Sequence, residues 1–417
     1  MQPFVPSRRL SRPAAFWTIA IVQVIVLVAS GAPSPLYRIY AEEFGFGSAL
    51  LTVVFGVYAF ALLLALLVVG GLSDHVGRRP VITAALVVEA ASMVLFLLAD
   101  GLGWLLAARI VQGLATGAIT GAFGAALLDL QDPGKPRGSV ANAASPAVGL
   151  ALGAVGAGLA VQHLPSPTAW VFGSLTAICL LAAVGIGLFL PESSPRLPGV
   201  AASLVPRVEV PAPQRRAFWL VLPCLLATWS LGGFYASLSP SVVADIYRID
   251  DHAVGTLPML ALNALSLVGS VATLRVAGPR AMVGGGLVLV AGMAGTIAAV
   301  STDSVAFFLT ATLVSGAGFG AAFAGALGLV TAGVAPGRRA GLLAAVFTSS
   351  YLAFSLPAIA AGVTTGAFGL QRTVAVYGAV VIVLTLVSVV GVSLDRRRTA
   401  DAPVGPVPAE GEAALAR

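Results

Sequence analysis

Residues 49–80 read ALLTVVFGVYAFALLLALLVVGGLSDHVGRRP. Residues 49–71 carry no charge over 23 positions. A bilayer core about 30 Å thick needs about 20 apolar residues of helix to cross it. The run is therefore one membrane span. Asp74, His75, Arg78 and Arg79 then crowd into a short turn that also holds Gly70, Gly71 and Gly77. Gly77 permits positive φ and Pro80 suits the start of a helix. Asp74 can face a helix N-terminus or an arginine. From Pro80 the chain is apolar again as far as residue 99, with Glu89 its one charged residue. Two such runs around a charged turn form a helical hairpin through a membrane; a membrane β-barrel would instead alternate apolar and polar residues over about ten positions.

The rest of the chain repeats this pattern. Of 417 residues, 58% are hydrophobic and 10% charged, and mean hydropathy is +0.98. A soluble domain has about 25% charged residues, so a large water-soluble enzyme is excluded, and disorder is excluded by the richness in apolar groups. Twelve spans are expected, at 14–36, 49–71, 80–99, 102–128, 139–162, 168–190, 217–241, 254–275, 281–300, 304–333, 340–363 and 372–394. The basic start (Arg8, Arg9, Arg12) before an apolar run could open a signal peptide. That run is as long as a span and eleven more follow, so it reads as an uncleaved first helix.

Charge sets the expected orientation. With the N-terminus cytoplasmic, nineteen of the 23 basic residues fall in cytoplasmic segments, Lys135 and Arg417 among them. Only Arg38, Arg248 and Arg372 fall outside, and Arg109 lies within a span. This is the positive-inside pattern. It makes both termini cytoplasmic and the net charge of +6 a topology signal, with no nucleic acid as partner. Cys179 and Cys224 sit in apolar runs, so neither a disulfide framework nor a metal site is expected.

A Pro- and Arg-rich connection, 191–216, divides the chain into a six-span bundle at 14–190 and another at 217–395, with cytoplasmic ends at 1–13 and 396–417. The halves match in colinear order. Phe16-Trp17 recurs as Phe218-Trp219, Gly77 as Gly278, Gly113 and Gly117 as Gly316 and Gly320, and Pro133-Gly134 as Pro336-Gly337, at offsets of 201 to 203. Two parallel repeats suit a transporter that rocks one half against the other.

The turn Gly70-Gly71-Leu72-Ser73-Asp74-His75-Val76-Gly77-Arg78-Arg79 resembles the loop 2–3 signature of the major facilitator superfamily, with His75 at a position usually Arg or Lys. Arg109-Ile110-Val111-Gln112-Gly113-Leu114-Ala115-Thr116-Gly117 is similar to that family's helix 4 motif. Gly149 to Gly158 resembles the helix 5 signature of drug/proton antiporters, with Ala154 and Ala157 in place of Pro and Gly, and span 6 ends in the familiar Pro191-Glu192. The resemblance implies an all-α fold of 12 transmembrane helices in two pseudo-symmetric bundles. It also implies a cytoplasmic gate at Gly70, Asp74, Gly77, Arg78 and Arg79, and a cavity lined by spans 1, 4, 7 and 10 with 2, 5, 8 and 11 beside them. Gly113, Gly117, Gly121, Gly149, Gly153, Gly316 and Gly320 read as helix-packing positions.

Glu89 and Arg109 are the ionisable residues well inside spans. Such groups cost at least about 2.5–3.5 kcal/mol and are usually functional. Their depths below the surface differ by about 5 Å at 1.5 Å rise per residue, so a direct Glu89–Arg109 pair is expected, broken when Glu89 is protonated. Gln112 follows Arg109 by one turn, and Gln23, Tyr58, Trp229, Asn263 and Tyr351 fall near span midpoints, where the site of such transporters lies. No nucleotide-binding loop is present, so ATP is not the expected power source. With no cofactor and no catalytic cluster, the proton is the simplest coupling ion.

The expected function is secondary export of a small organic compound, drug-like or metabolite, by proton antiport from a bacterial cell (inner) membrane, by a monomer in the lipid bilayer. Import or facilitation of sugars or organic acids is the alternative, and a non-transporting receptor or scaffold the remote one. The 22 Arg to one Lys, with abundant Ala and Gly, points to a GC-rich bacterial genome.

Overall fold

A computed structural model of the chain describes residues 9–132, 134 and 137–400. Arg8, Pro133, Lys135 and Arg417, and with them the outer parts of the expected termini, lie outside the described residues. Twelve helices among the described residues are long and apolar enough to cross a membrane, and no strand occurs among them. Spans 1 to 6 are Arg12–Phe44, Ser48–Val69, Arg78–Leu97, Leu102–Leu130, Arg137–His163 and Pro167–Phe189. Spans 7 to 12 are Arg215–Ser241, His252–Ala272, Gly278–Ala299, Val305–Thr331, Pro336–Phe368 and Leu370–Ala400.

Two spans depart from the expectation in an instructive way. Span 1 was expected to stop at residue 36 but runs on to Phe44, as Arg12–Gly31 followed by Pro33–Phe44. The polar extension holds because Leu36, Tyr37 and Tyr40 are buried between helices, and it ends where Gly45 takes φ 70°. Span 7 widens at its end into a π-type turn, Val242–Ile246.

The halves repeat. Equivalent spans start at Arg12 and Arg215, Arg78 and Gly278, Leu102 and Val305, Pro167 and Leu370. Phe16–Trp17 and Phe218–Trp219 form the same edge-on ring pair in each half. The connection after span 6 touches both halves, since Leu197 N–H donates to the Asp74 carbonyl (3.0 Å) and Glu209 N–H to the Gly341 carbonyl (3.2 Å).

Packing distinguishes the two ends of the molecule. At the end bearing the 70–80 turn, one apolar cluster around Phe16, Ile82 and Phe123 lies wholly in spans 1–6, and another around Phe218, Met282 and Val346 lies wholly in the second half. At the opposite end a cluster spans both halves, joining Leu36, Phe55 and Phe96 to Ala236 and Met259. Near mid-depth, Tyr58 and Leu62 pack on Tyr351 and Phe354. The bundles are sealed at the end opposite the 70–80 turn.

Candidate functional site

Span 4 carries the polar centre of the first bundle. Arg109 is 1% exposed, Gln112 0% and Glu89, from span 3, 1%. Arg109 Nε donates to the Tyr37 hydroxyl, and Nη1 donates to Gln112 Oε1 and to the Ser30 carbonyl at 3.4 Å. The guanidinium lies over three rings, with centroids at 5.1 Å (Tyr37), 4.9 Å (Tyr58) and 5.7 Å (Phe96). An arginine so enclosed gains cation–π attraction in a desolvated setting. Its charge is spent on these buried partners and rings.

The expected direct pair between Glu89 and Arg109 is not formed; Gln112 lies between them. Gln112 Nε2 donates to Glu89 Oε1 at 3.3 Å, and Thr116 Oγ1 donates to Glu89 Oε2 at 3.3 Å. The two residues do stand at compatible heights, but a third side chain, one turn along the same helix as Arg109, intervenes. Gln112 uses its second N–H on the Ala29 carbonyl at 2.9 Å. That carbonyl is available for a local reason. In an α-helix it would accept from residue 33, but Pro33 has no N–H to give.

The same device recurs twice. Pro240 leaves the Ala236 carbonyl of span 7 without its helical donor, and Ser34 of span 1 donates to it at 2.7 Å, across the two halves. Pro357 frees the Ala353 carbonyl of span 11, and Ser230 of span 7 donates to that at 3.1 Å. Three proline-freed carbonyls are thus each claimed by a side chain from another span. A continuous series runs from Glu89 through Gln112 to the break in span 1, and from there through Ser34 to span 7 and through Ser230 to span 11.

Beside this series lies an aromatic wall. Trp229 of span 7 meets Tyr351 (ring centroids 4.8 Å apart), Phe323 (5.8 Å), Phe354 (6.0 Å) and Phe347 (6.4 Å). All five rings are half-buried. They stand at mid-depth, next to the interbundle contacts of Phe55 on Phe354 (ring centroids 5.1 Å apart) and of Tyr58 and Leu62 on Tyr351 and Phe354. The Trp229 indole N–H is buried without a hydrogen-bond partner among the described residues.

The 70–80 turn is organised by Arg78, which is 6% exposed. Its guanidinium pairs with Asp74 and with Asp129 (3.2 Å) and donates to Ser73 Oγ at 2.7 Å. Asp74 faces the arginine; the N-terminus of span 3 is met by Glu192, which accepts from Arg78 N–H (2.8 Å) and Arg79 N–H (3.3 Å). Gly77 sits at φ 122° with the Glu192 carboxylate against it, so a side chain there has neither the conformation nor the room. All of these partners belong to the first half or, in the case of Glu192, to the start of the connection that follows it.

A family model, the Major Facilitator Superfamily, matches residues 19–274. The chain belongs to the major facilitator superfamily. Among curated proteins, the tetracycline resistance protein, class C, of Escherichia coli is 33% identical over 150 residues, 34% of this chain and 35% of that protein. The match therefore spans about a third of that relative's length. Among solved structures, a bacterial homologue of the human lysosomal transporter Spinster, inward-facing and unoccupied, superposes with a TM-score of 0.75 at 15% identity, covering 93% of this chain and 98% of that one. The human organic anion transporter TETRAN superposes with a TM-score of 0.64 at 16% identity, covering 91% and 100%. At these identities the structures show a common fold.

Within this major facilitator chain the residues singled out from sequence fall into separate places. Glu89, Arg109, Gln112 and Tyr58 meet in the first bundle, and Trp229 and Tyr351 in the aromatic wall. Gln23 is elsewhere, its Nε2 donating to Asn142 Oδ1 at 2.9 Å between spans 1 and 5. Asn263 turns back onto its own helix, donating to the Met259 carbonyl at 2.8 Å. The small-residue faces pack within bundles. Gly113, Gly117 and Gly121 lie against span 2 or its end at Gly70, Gly149 and Gly153 against span 1, and Gly316 and Gly320 against span 8. Reading the sequence missed Ser34, which lies between Pro33 and Pro35 near the end of the expected span 14–36, and Tyr37, just beyond that end. The available signal was Pro33 itself, since an in-span proline always frees a carbonyl.

Proposed function

We propose that this secondary transporter exports a small, largely apolar aromatic compound from the cytoplasm in exchange for protons, with Glu89 as the proton-exchanging group. The observation that carries the reading is the position of Gln112. One amide N–H holds Glu89 and the other holds the Ala29 carbonyl at the break in span 1. Protonating Glu89 removes the negative charge that this N–H addresses, and a hydrogen bond to a charged partner is about twice as strong as one to a neutral partner. Gln112 then shifts its hold on the break, and the break carries Ser34 to or from Ala236 of the opposite bundle. Proton exchange is thereby linked to the seal between the halves.

The substrate class is supported by the aromatic wall, which offers ring faces and one unpaired indole N–H to a planar compound bearing an acceptor. Sugars and organic acids would call for polar or basic side chains there. Outward direction is supported by the partial likeness to a tetracycline resistance protein.

Everted vesicles carrying the protein and a pH-sensitive dye test the reading. Planar aromatic compounds are expected to discharge an imposed proton gradient, while sugars and organic acids do not. Glu89→Gln is expected to keep substrate binding and lose the pH dependence of transport. A Glu89→Gln protein with an unchanged pH profile, or flux indifferent to the gradient, rejects proton antiport through Glu89.

A further inference from the structure

Spans 11 and 12 part toward the end opposite the 70–80 turn and leave a groove of about 720 Å³ backed by span 7. Its floor is Leu226 and Ser230, and its walls include Leu356 and Ala360 on one side and Val376 and Val380 on the other. Leu356, Val376 and Val380 are all more than half exposed, so the groove opens sideways, toward lipid.

The lining contains hydroxyls, yet each is already committed within the protein. Ser230 donates to the Ala353 carbonyl, Thr364 to Ala361 (3.0 Å), Thr373 to Gly369 (3.0 Å) and Tyr377 to the Ser230 carbonyl (2.6 Å). An occupant therefore meets a mostly apolar surface whose hydroxyl hydrogens are all engaged within the protein. The exception is Arg372 at the mouth, exposed and without an ion pair among the described residues. From Arg372 the groove follows span 12 down to Leu384. At 1.5 Å rise per residue that is about 18 Å, close to the roughly 15 Å depth of one leaflet of a 30 Å bilayer core.

We propose that this groove is a binding site for one acyl chain of an anionic phospholipid, whose phosphate rests on Arg372. The groove's depth fits a leaflet-length hydrocarbon chain, its committed hydroxyls exclude a polar solute, and its one cation stands at the height of the headgroup. The bound chain wedges spans 11 and 12 apart and rests on Ser230, the residue next to Trp229 and the donor that ties span 7 to span 11. The lipid thus touches the back of the aromatic wall from the membrane side. This site stands whatever the transporter carries.

A photoreactive p-benzoylphenylalanine at Ala360 tests it, with the lipid-exposed Val184 of span 6 as control. The full chain is placed in vesicles of equal phosphatidylglycerol and phosphatidylcholine and illuminated. The adduct ratio at Ala360 is expected to favour phosphatidylglycerol about fivefold, the ratio given by about 1 kcal/mol per basic residue near a membrane surface. The ratio at Val184 is expected near one. Arg372→Gln should bring the Ala360 ratio to that of the control while adducts still form. Excess inorganic phosphate should leave the ratio unchanged; if phosphate abolishes it, Arg372 binds free anion and the acyl site is rejected. Equal ratios at both positions, or adducts at Ala360 to a second copy of the chain or to an added apolar substrate in place of lipid, overturn the proposal.

Discussion

Gln112 is the side chain that both buried charges share. Replacing it with Leu keeps volume but strands three groups, Glu89, the Ala29 carbonyl and one Arg109 N–H. Each buried polar group left unpaired costs about 1–3 kcal/mol, so Gln112→Leu is expected to lower the thermal unfolding midpoint in detergent. It is also expected to flatten the pH profile of transport even though Glu89 is still present. A profile that keeps its pH dependence would show that Glu89 acts on the helices by another route. Arg78 permits a second residue-scale test. Arg78→Lys retains charge but lacks the planar fork that reaches Asp74, Asp129 and Ser73 together. The arginine is buried but Asp74 and Asp129 are 44% and 33% exposed, so the pairs are partly solvated; the lysine variant should lose part of their contribution and Arg78→Ala all of it, read as successive drops in the unfolding midpoint. Glu89, Arg109 and Gln112 were legible in the sequence because polar groups stand out in an apolar run. Their true pairing was not legible, because heights along two helices say nothing about rotation around them.

At the scale of the helices, the spans were legible because twenty apolar residues between charged turns admit few other structures. The extension of span 1 to Phe44 was not. Pro33-Ser34-Pro35 reads locally as a turn, and burial, mainly among spans 3 to 6 of the same half, keeps the helix going: Tyr37 meets Arg109, and Tyr40 meets Phe96 and Phe172. The prolines then act through what they remove. Pro33→Ala supplies an N–H to the Ala29 carbonyl and relieves the clash that interrupts the helix, a defect worth about 3 kcal/mol in a helix interior. The expected outcome is a protein at least as stable to heat as the parent but slower in transport, since Gln112 now competes with a helical donor for the same carbonyl. A variant that is both stabilised and fully active would deny the break any part in the cycle. The glycine faces predict the opposite pattern. A Cβ at Gly320 would collide with the Ser266 backbone of span 8, so Gly320→Leu should cost folding itself, read as loss of monodisperse protein.

For the whole molecule, the two ends make different claims about access. Every interbundle contact named above lies at mid-depth or toward the end opposite the 70–80 turn, and the apolar clusters at the turn end each stay within one half. The internal repeat made two bundles legible in the sequence, but which end they close could not be read there. Closure depends on complementary surfaces far apart in the chain, such as Thr52 against Gly362. That pair permits a direct test. A Cβ built on Gly362 lies 2.8 Å from the Thr52 Cβ, and a disulfide needs about 3.5–4.5 Å between Cβ atoms, so a slight easing of spans 2 and 11 suffices. Cys179 and Cys224 are buried and unpaired, in different halves, so neither competes for the new thiols. Thr52→Cys with Gly362→Cys is expected to cross-link under mild oxidant. Transport should stop on oxidation and return on reduction, because alternating access requires this end to open. Substrate added from the turn side should still bind to the locked protein, which tryptophan fluorescence from Trp229 can report. If the locked protein instead transports at the parental rate, the sealed end is not a gate and the halves do not rock about it.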